Sequence, residues 1–254
     1  MFAAHAIRFV LFGLLMTGFA VFAKEPSDLQ LFLLIGQSNM AGRGKVEPAD
    51  QVPHPRIVMF DKNNAWVPAA DPVHFDKPKI AGVGLCSEFA RRVAAAEPQA
   101  VVGLVPCAFG GTTLDQWRPG SALYTNAVAR ARDAMRSGQL RAILWHQGEG
   151  DSSPSKSATY PARFGAMIAQ LRSDLNAPDV PVLVGELGRY RDAYAGFNAM
   201  LPQVIQVVPN SAPVSSEGLG ANSDNVHFNR AALIEFGRRY FEAYERLRKE
   251  AAQR

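Results

Sequence analysis

Short, largely apolar runs alternate with longer stretches of helical periodicity along most of the chain. Apolar runs of this length predict β-strands buried on both faces, and they occur at Leu29–Ile35, Val101–Val105, Ala142–Trp145 and Val180–Val184. Apolar residues recur at helical spacing over Ser87–Ala96, Ala122–Ser137, Thr159–Leu175 and Ala231–Lys249. Strands that alternate with helices are typical of βαβ units, which build a parallel sheet with right-handed crossovers. The pattern therefore predicts the α/β class.

Glycine and proline mark where these elements end. Gly138 follows the second predicted helix and is expected to stop it, and Pro161 stands near the start of the third, where proline is tolerated. Between residues 42 and 84, six prolines interrupt every period. We predict a long surface excursion there, with one short strand at Ile57–Phe60. An insertion placed directly after the first strand can line a cleft or simply cover the surface.

The first 23 residues have the features of a secretory signal peptide. Arg8 is their only charged residue, an uncharged apolar run of 14 residues spans Phe9–Phe22, and Val21 and Ala23 precede Lys24. These features predict cleavage before Lys24 and export to the periplasm or outside the cell. The alternative is a retained membrane anchor, but the run falls short of the roughly 20 residues that span a bilayer.

The composition is that of an ordinary globular protein. Hydrophobic residues make up 48% of the chain and charged residues 20%, which excludes disorder, collagen and coiled coil as descriptions of the whole. We expect residues 24–254 to form a single domain, without a membrane partner once the signal is removed. The 27 Lys and Arg against 23 Asp and Glu give a net charge of +4. Since no basic run is interleaved with aromatics, no nucleic-acid partner is expected.

Two cysteines, Cys86 and Cys107, are too few for a disulfide scaffold and lack the spacing of a metal site. Export would permit one disulfide between them. Two buried thiols acting as small hydrophobic side chains are an equal alternative.

The first candidate for chemistry is Ser38, in the segment Gly36-Gln-Ser-Asn-Met-Ala-Gly42. It follows a predicted buried strand, and ligands in open α/β sheets bind beyond the carboxyl ends of the strands. A serine hydroxyl becomes a nucleophile when a base takes its proton. The alternative is a helix cap, a frequent position for serine.

A candidate base stands late in the chain, where Asp224 precedes His227 by three residues. At that spacing the carboxylate can hold one imidazole nitrogen and fix the tautomer, while the other nitrogen faces Ser38. The alternative is a solvated loop with an incidental histidine.

Two further segments follow predicted strands and offer donors for an oxyanion. Gly110 and Gly111 let a backbone N–H approach a reacting atom, although an ordinary strand-to-helix turn would look the same. In His146-Gln-Gly-Glu149, Gln147 can aim its amide at the same oxyanion, and Glu149 can support a histidine or lie in solvent. No histidine pair has i, i+4 spacing, so no metal is expected.

At these residues the sequence resembles the SGNH hydrolase superfamily, and within it the carbohydrate esterase family 6 and sialate O-acetylesterase group. The matching motifs keep their order along about residues 29–243: Gly36-Gln-Ser-Asn-Met-Ala-Gly42, Phe109-Gly-Gly-Thr with Trp117, Trp145-His-Gln-Gly-Glu149 and Asp224-Asn-Val-His227. The resemblance implies a three-layer α/β/α fold with a central parallel sheet in flavodoxin-like order. It also implies deacetylation of O-acetylated sugars without a cofactor.

Carried over by position, the resemblance makes Ser38 the nucleophile and His227 the general base. Asp224 matches the orienting acid of the superfamily, and Glu149 matches an acid given that role in some carbohydrate esterases. The N–H of Ser38, the N–H of Gly110 or Gly111 and the side chain of Gln147 would form the oxyanion hole. The chain has Gly-Gln-Ser where lipase-like relatives have Gly-Asp-Ser, and Gln147 where they have Asn. Both departures favour a sugar esterase.

The sequence leaves the substrate open between acetylated xylan and O-acetyl sialic acid. Candidate sugar contacts are the aromatic residues Trp66, Phe75, Trp117 and Tyr124, with Arg43 or Arg118 for a carboxylate. Two other functions remain alternatives: a lipase-like or thioesterase-like acyl hydrolase, and a carbohydrate-binding protein that has lost turnover.

Overall fold

The computed structural model describes residues 28–253, so the predicted signal peptide at 1–23 lies outside the described residues. The strands of this part are β1 (Leu29–Gly36), β2 (Ile57–Phe60), β3 (Trp66–Pro68), β4 (Val101–Pro106), β5 (Gly138–His146), β6 (Val182–Gly185) and β7 (Ser211–Val214). Its α-helices are α1 (Ser38–Ala41), α2 (Leu85–Ala96), α3 (Ala122–Ala134), α4 (Pro154–Ser157), α5 (Tyr160–Asp174), α6 (Ala195–Val207) and α7 (Arg230–Ala252).

The strands form one sheet in the order β3-β2-β4-β1-β5-β6-β7. Neighbouring strands are parallel except β3, which runs antiparallel to β2. The order β4-β1-β5-β6-β7 is that of a flavodoxin-like sheet, which confirms the expectation drawn from the resemblance. The chain leaves β1 towards one side of the sheet and later returns to its other side, so a crevice opens beyond the carboxyl end of β1.

Helices cover both faces of the sheet, and the side chains of β1 alternate between the two resulting cores. Leu31, Leu33 and Ile35 belong to the core shared with α3, α5 and α6. Phe32 and Leu34 belong to the core shared with α2 and α7. Because successive strand residues point to opposite faces, a strand apolar at nearly every position must be covered on both sides. The predicted three-layer α/β/α architecture is therefore confirmed.

All five predicted strands, including the short one at Ile57–Phe60, and all four predicted helices are present. The largest boundary error concerns Gly138. Gly138 does not end α3, which already stops at Ala134. It is instead the first residue of β5 and pairs with Leu29. A Cβ on Gly138 would lie 2.1 Å from the carbonyl oxygen of Leu29, so glycine is required there by the close approach of two strands.

Three elements carry little periodic signal, and we did not predict them. β3 and β7 are short edge strands that contain Pro68 and Pro213, and proline inside a strand is tolerated mainly at such edges. The helix α6 contains Pro202 in its interior, which hides it from a search for uninterrupted helical spacing.

Both cysteines are free and buried, so the alternative of two buried thiols describes them. Burial raises the pKa of the Cys86 thiol well above its usual range and that of Cys107 to about 11, which keeps both protonated at neutral pH. Within residues 28–253, no helix is long and apolar enough to cross a membrane.

Candidate active site

Ser38 is placed by a sharp turn at the carboxyl end of β1. The strand ends at Gly36, whose φ of 130° favours glycine and whose Cβ, if present, would lie 2.1 Å from the carbonyl oxygen of His146. The N–H of Gln37 donates to that same oxygen at 2.8 Å, which ties the turn to β5. Ser38 then begins the one-turn helix α1 and is 5% exposed. The turn thus holds one hydroxyl at the opening of the crevice.

The loop between β7 and α7 brings His227 and Asp224 to the Ser38 hydroxyl. Ser38 Oγ lies 2.9 Å from His227 Nε2, and His227 Nδ1 lies 2.7 Å from Asp224 Oδ2. Because a carboxylate can only accept, Nδ1 carries the proton and Nε2 is left as an acceptor for the serine. The three side chains therefore form one continuous chain of hydrogen bonds in the predicted order.

Asp224 is held in its ionised form by the loop that carries it. Burial acts to raise the pKa of Asp224, but hydrogen bonds from the backbone N–H and ring of His227 and from the N–H of Val226 outweigh it, so the pKa falls to about 2. The carboxylate is consequently charged at every pH at which the protein would work. A fixed negative charge beside Nδ1 would stabilise the imidazolium that forms when His227 takes the serine proton.

Gly110 lies against the serine, but its N–H is already engaged. A Cβ on Gly110 would be 3.3 Å from Ser38 Cβ and 2.6 Å from Arg43 Nη2, so a larger residue there would displace the Arg43 guanidinium. The N–H of Gly110 donates to Asp76 Oδ2 at 2.9 Å, and Arg43 Nη2 donates to the same oxygen at 2.7 Å. Of the two glycines predicted as oxyanion donors, Gly110 therefore already donates its N–H, and Gly111 remains as the candidate donor.

The Arg43–Asp76 pair itself is buried, with side chains 5% and 1% exposed. Burial acts to raise the pKa of Asp76, but the Arg43 guanidinium and the N–H of Gly110 lower it below its usual range. Asp76 comes from the proline-rich excursion. That segment therefore lines the crevice, which is one of the two alternatives that the sequence left open.

The prediction that Gln147 donates to the oxyanion is contradicted by its partners. Gln147 is fully buried, and its Nε2 donates to Thr112 O at 3.1 Å and to Asp151 Oδ2 at 2.7 Å. Its Oε1 accepts from the hydroxyl of Tyr160 at 3.0 Å. Both N–H bonds of the amide are thus used inside the protein, which makes Gln147 a structural link between two loops.

Glu149 contacts neither His227 nor Ser38 through a hydrogen bond. Its Oε1 accepts from Asn39 Nδ2 at 2.7 Å and lies 3.9 Å from His146 Nδ1. Burial lowers the pKa of His146, and its Nε2 donates to the carbonyl of Glu186 at 3.0 Å. Glu149 therefore lies behind the turn that carries Ser38, and of the two candidate acids it is Asp224 that is hydrogen-bonded to His227.

Backbone donors remain free in the two segments around the serine. Within the described part of the chain, the N–H groups of Ser38 and Gly111 have no acceptor. Gly111 has a φ of 82°, a conformation that glycine adopts without strain. A hydroxyl activated by an imidazole, next to unpaired N–H groups, is an arrangement suited to acyl transfer.

Most of the aromatic residues that we considered for sugar stacking are committed to packing. Trp117 and Tyr124 are buried in the core, while Trp66 packs on Phe60 and Phe75 packs on Arg130. Phe109, directly before Gly110, is 41% exposed instead.

Sequence reasoning missed Asn39, Asp76 and Phe109. Asn39 and Phe109 adjoin residues that we had singled out, so their neighbourhood was the available signal. Asp76 lies in the proline-rich excursion without any periodic pattern, and nothing in the sequence points to it. Across residues 28–253, no group of three or more His, Cys, Asp or Glu side chains is arranged to hold a metal ion.

Comparisons with known proteins agree with this geometry. Residues 28–246 match the family described as carbohydrate esterase, sialic acid-specific acetylesterase. A probable carbohydrate esterase of Arabidopsis thaliana is 33% identical over 242 residues, covering 85% of this chain and 90% of the relative.

Solved structures share the fold. A crystal structure of an Arabidopsis thaliana protein has a TM-score of 0.80 at 31% identity, over 86% of this chain and 98% of that one. The crystal structure of NanS has a TM-score of 0.72 over 89% of this chain and 99% of that one, and its 20% identity makes it evidence for the fold alone. The chain therefore belongs to the carbohydrate esterases of the sialic acid-specific acetylesterase family, and it is a carboxylic ester hydrolase.

Proposed function

We propose that the protein removes O-acetyl groups from sugars by acyl transfer through Ser38. The observation that carries this proposal is the hydrogen-bonded chain from Asp224 through His227 to Ser38. Family membership supports an acetyl ester of a carbohydrate as the substrate. The fold supplies the crevice beyond β1 in which such a sugar would lie.

Acylation begins when Ser38 Oγ attacks the acetyl carbonyl carbon and its proton moves to His227 Nε2. The carbonyl π electrons move to oxygen and give a tetrahedral oxyanion, while Asp224 stabilises the new imidazolium. When the intermediate collapses, the bond from carbon to the sugar oxygen breaks. The imidazolium donates its proton to that oxygen, so the sugar leaves as an alcohol and Ser38 is acetylated.

Deacylation repeats these steps with water as the nucleophile. Neutral His227 takes a proton from water as the water oxygen attacks the acetyl-serine carbonyl. Collapse of the second tetrahedral intermediate returns the proton to Ser38 Oγ and releases acetate. No group is oxidised or reduced, so water is the second substrate that the cycle needs.

The oxyanion of both intermediates would be bound by the free N–H groups of Ser38 and Gly111. Preorganised donors at this position typically contribute 10²–10³-fold in turnover each. The Asp76 carboxylate lies close by, and its charge is balanced by Arg43. The pair therefore fixes the loop at Gly110 without adding a net negative charge beside the oxyanion.

Two sugar classes remain as substrates of this proposal. The family description supports O-acetyl sialic acid, whose carboxylate would need a cation. Arg43 is unsuited because it is paired with Asp76, whereas the exposed Lys77 ammonium lies 3.7 Å from where a Gly111 Cβ would be. Acetylated xylan would need no such cation.

The test is acetate release by the purified protein from O-acetyl sialic acid, acetylxylan and aryl acetates, beside Ser38→Ala. We expect release from an acetylated sugar, labelling of Ser38 by a serine-directed phosphonate, and near-complete loss of both in the variant. Preference for long-chain p-nitrophenyl esters would show a lipase-like enzyme instead. Absence of both turnover and labelling in the unaltered protein would show a binding protein.

A further inference from the structure

Asn39, the residue after the nucleophile, makes a clamp on the loop that carries the base. Its side chain is 1% exposed. Nδ2 donates to the carbonyl of Val226 at 3.2 Å, and Oδ1 accepts from the N–H of Phe228 at 3.0 Å. Val226 and Phe228 flank His227 on both sides. One amide therefore holds the backbone on either side of the catalytic histidine.

The orientation of this amide is fixed by the chemistry of its partners. A backbone carbonyl can only accept and a backbone N–H can only donate, so Oδ1 and Nδ2 cannot be exchanged. The second hydrogen of Nδ2 goes to Glu149 Oε1 at 2.7 Å. Both donor positions of Asn39 are thereby filled, and Glu149 is the acceptor behind them.

The Asp224 contact cannot replace this clamp. Asp224 and His227 belong to the same loop, and the Asp224 side chain is 48% exposed. Their hydrogen bond orients the imidazole relative to its own loop, but it does not fix the distance from the loop to β1. Asn39 fixes this distance directly, because it follows Ser38 in the one-turn helix α1.

The loop has a second attachment that is independent of Asn39. The hydroxyl of Tyr190 donates to Val226 O at 2.9 Å, and Asn222 Nδ2 donates to the carbonyl of Arg43 at 3.0 Å. A variant without the Asn39 amide would therefore keep its loop folded on the protein. What it would lose is the alignment of Nε2 with the serine hydroxyl.

We propose that Asn39 is a positioning residue that sets the Ser38–His227 alignment, and that Glu149 acts on catalysis only through Asn39, as the acceptor that holds its amide. This inference rests on the proposed function, because it concerns the same nucleophile and base. It assigns Glu149 a place behind the reaction, distinct from that of an orienting acid on His227. A displacement of about 1 Å in such a pair can cost on the order of 100-fold in rate.

The test compares Asn39→Ala, Glu149→Ala, Glu149→Gln and the double alanine variant with aryl acetate. We expect Asn39→Ala to lower kcat by about 10- to 100-fold, with KM changed less than twofold. The rate of phosphonate labelling at Ser38 should fall by the same factor, since it reports the nucleophile without the sugar. Glu149→Ala should match Asn39→Ala, and Glu149→Gln should recover most of the rate because its amide oxygen still accepts from Asn39.

The double variant is expected to be no slower than Asn39→Ala alone, because both substitutions disrupt the same connection from Glu149 through Asn39 to the loop. Ser211→Ala is the matched control: it removes a buried hydrogen bond to Val208 O, at the opposite end of the sheet, and should lower Tm without changing kcat. Losses that multiply in the double variant, or Glu149→Gln as slow as Glu149→Ala, would overturn the inference. If the unaltered protein neither releases acetate nor labels at Ser38, the proposed function fails instead.

Discussion

At the scale of single residues, the site depends on which polar groups are already paired. Two side-chain amides in the motifs, those of Asn39 and Gln147, are fully used within the protein. The backbone N–H groups of Ser38 and Gly111, which the motifs predict as oxyanion donors, have no acceptor within residues 28–253. In the proposed mechanism the free N–H groups bind the oxyanion, and the paired amides hold the surrounding loops in place.

Asp224→Asn tests the third member of the triad. The asparagine can present an N–H to His227 Nδ1, which would favour the tautomer that cannot accept the serine proton. We expect kcat to fall by about 10²–10⁴-fold while Tm changes little. A pH profile of acetate release should show no step from Asp224 between pH 4 and 8, because its pKa is about 2. A loss of less than threefold in the variant would contradict the assignment.

The proximity of Ser38, His227 and Asp224 was predictable because short motifs carry all three residues. The partners of Gln147 were not, since Thr112, Asp151 and Tyr160 stand far from it or on other elements and only folding brings them together. A sequence shows that an amide is present. Whether its hydrogens are free depends on the packing of its neighbours.

At the scale of elements, buried strands and amphipathic helices could be predicted and edge elements could not. β1 and β4 are apolar at nearly every position because both faces are covered. β3 and β7 lie at the edges of the sheet, where proline and short length are tolerated. The excursion between β1 and α2 likewise has no periodic pattern that predicts its structure. Its contribution to the site depends on the ion pair between Arg43 and Asp76.

Removing either Arg43 or Asp76 from their buried ion pair should destabilise the protein. Asp76→Ala leaves the Arg43 guanidinium buried without its counter-charge and the N–H of Gly110 without an acceptor. We expect the free energy of unfolding to fall by about 3–5 kcal/mol, measured by urea denaturation. Arg43→Ala should cost a similar amount, and the double variant less than the sum of the two.

The matched control is Asp133→Ala. It breaks an exposed pair with Arg136, whose side chain is 82% exposed, and should change the free energy of unfolding by less than about 1 kcal/mol. If Asp76→Ala proved as mild as this control, the excursion would not be anchored through the buried pair.

At the scale of the whole molecule, one buried carboxyl group couples stability to pH. Asp71 is 3% exposed, and burial raises its pKa to about 6. The N–H of Gly84 donates to its Oδ1 at 3.3 Å, but Oδ2 has no hydrogen-bond partner among residues 28–253. Ionisation of Asp71 therefore occurs more easily in the unfolded chain than in the folded protein.

Asp71→Asn should remove this dependence. Between the unfolded pKa of 3.8 and the folded value of about 6, the native state binds more protons, so stability falls as pH rises. Relative to the unaltered protein, the variant should gain up to about 3 kcal/mol in free energy of unfolding between pH 4 and pH 8. Urea denaturation at both pH values measures the difference, and the pH 4 comparison removes any constant effect of the substitution. Parallel stability curves would show that Asp71 does not titrate in this window.

The two reacting side chains stand 189 residues apart in the sequence. A growing polypeptide therefore carries its nucleophile from an early stage of synthesis, yet it has no base until the loop before α7 has emerged. An unfinished or truncated chain that stops short of this loop has a serine as inert as any surface hydroxyl. Under the proposed mechanism, reactivity towards esters would therefore appear only when the segment that carries His227 has been added and folded.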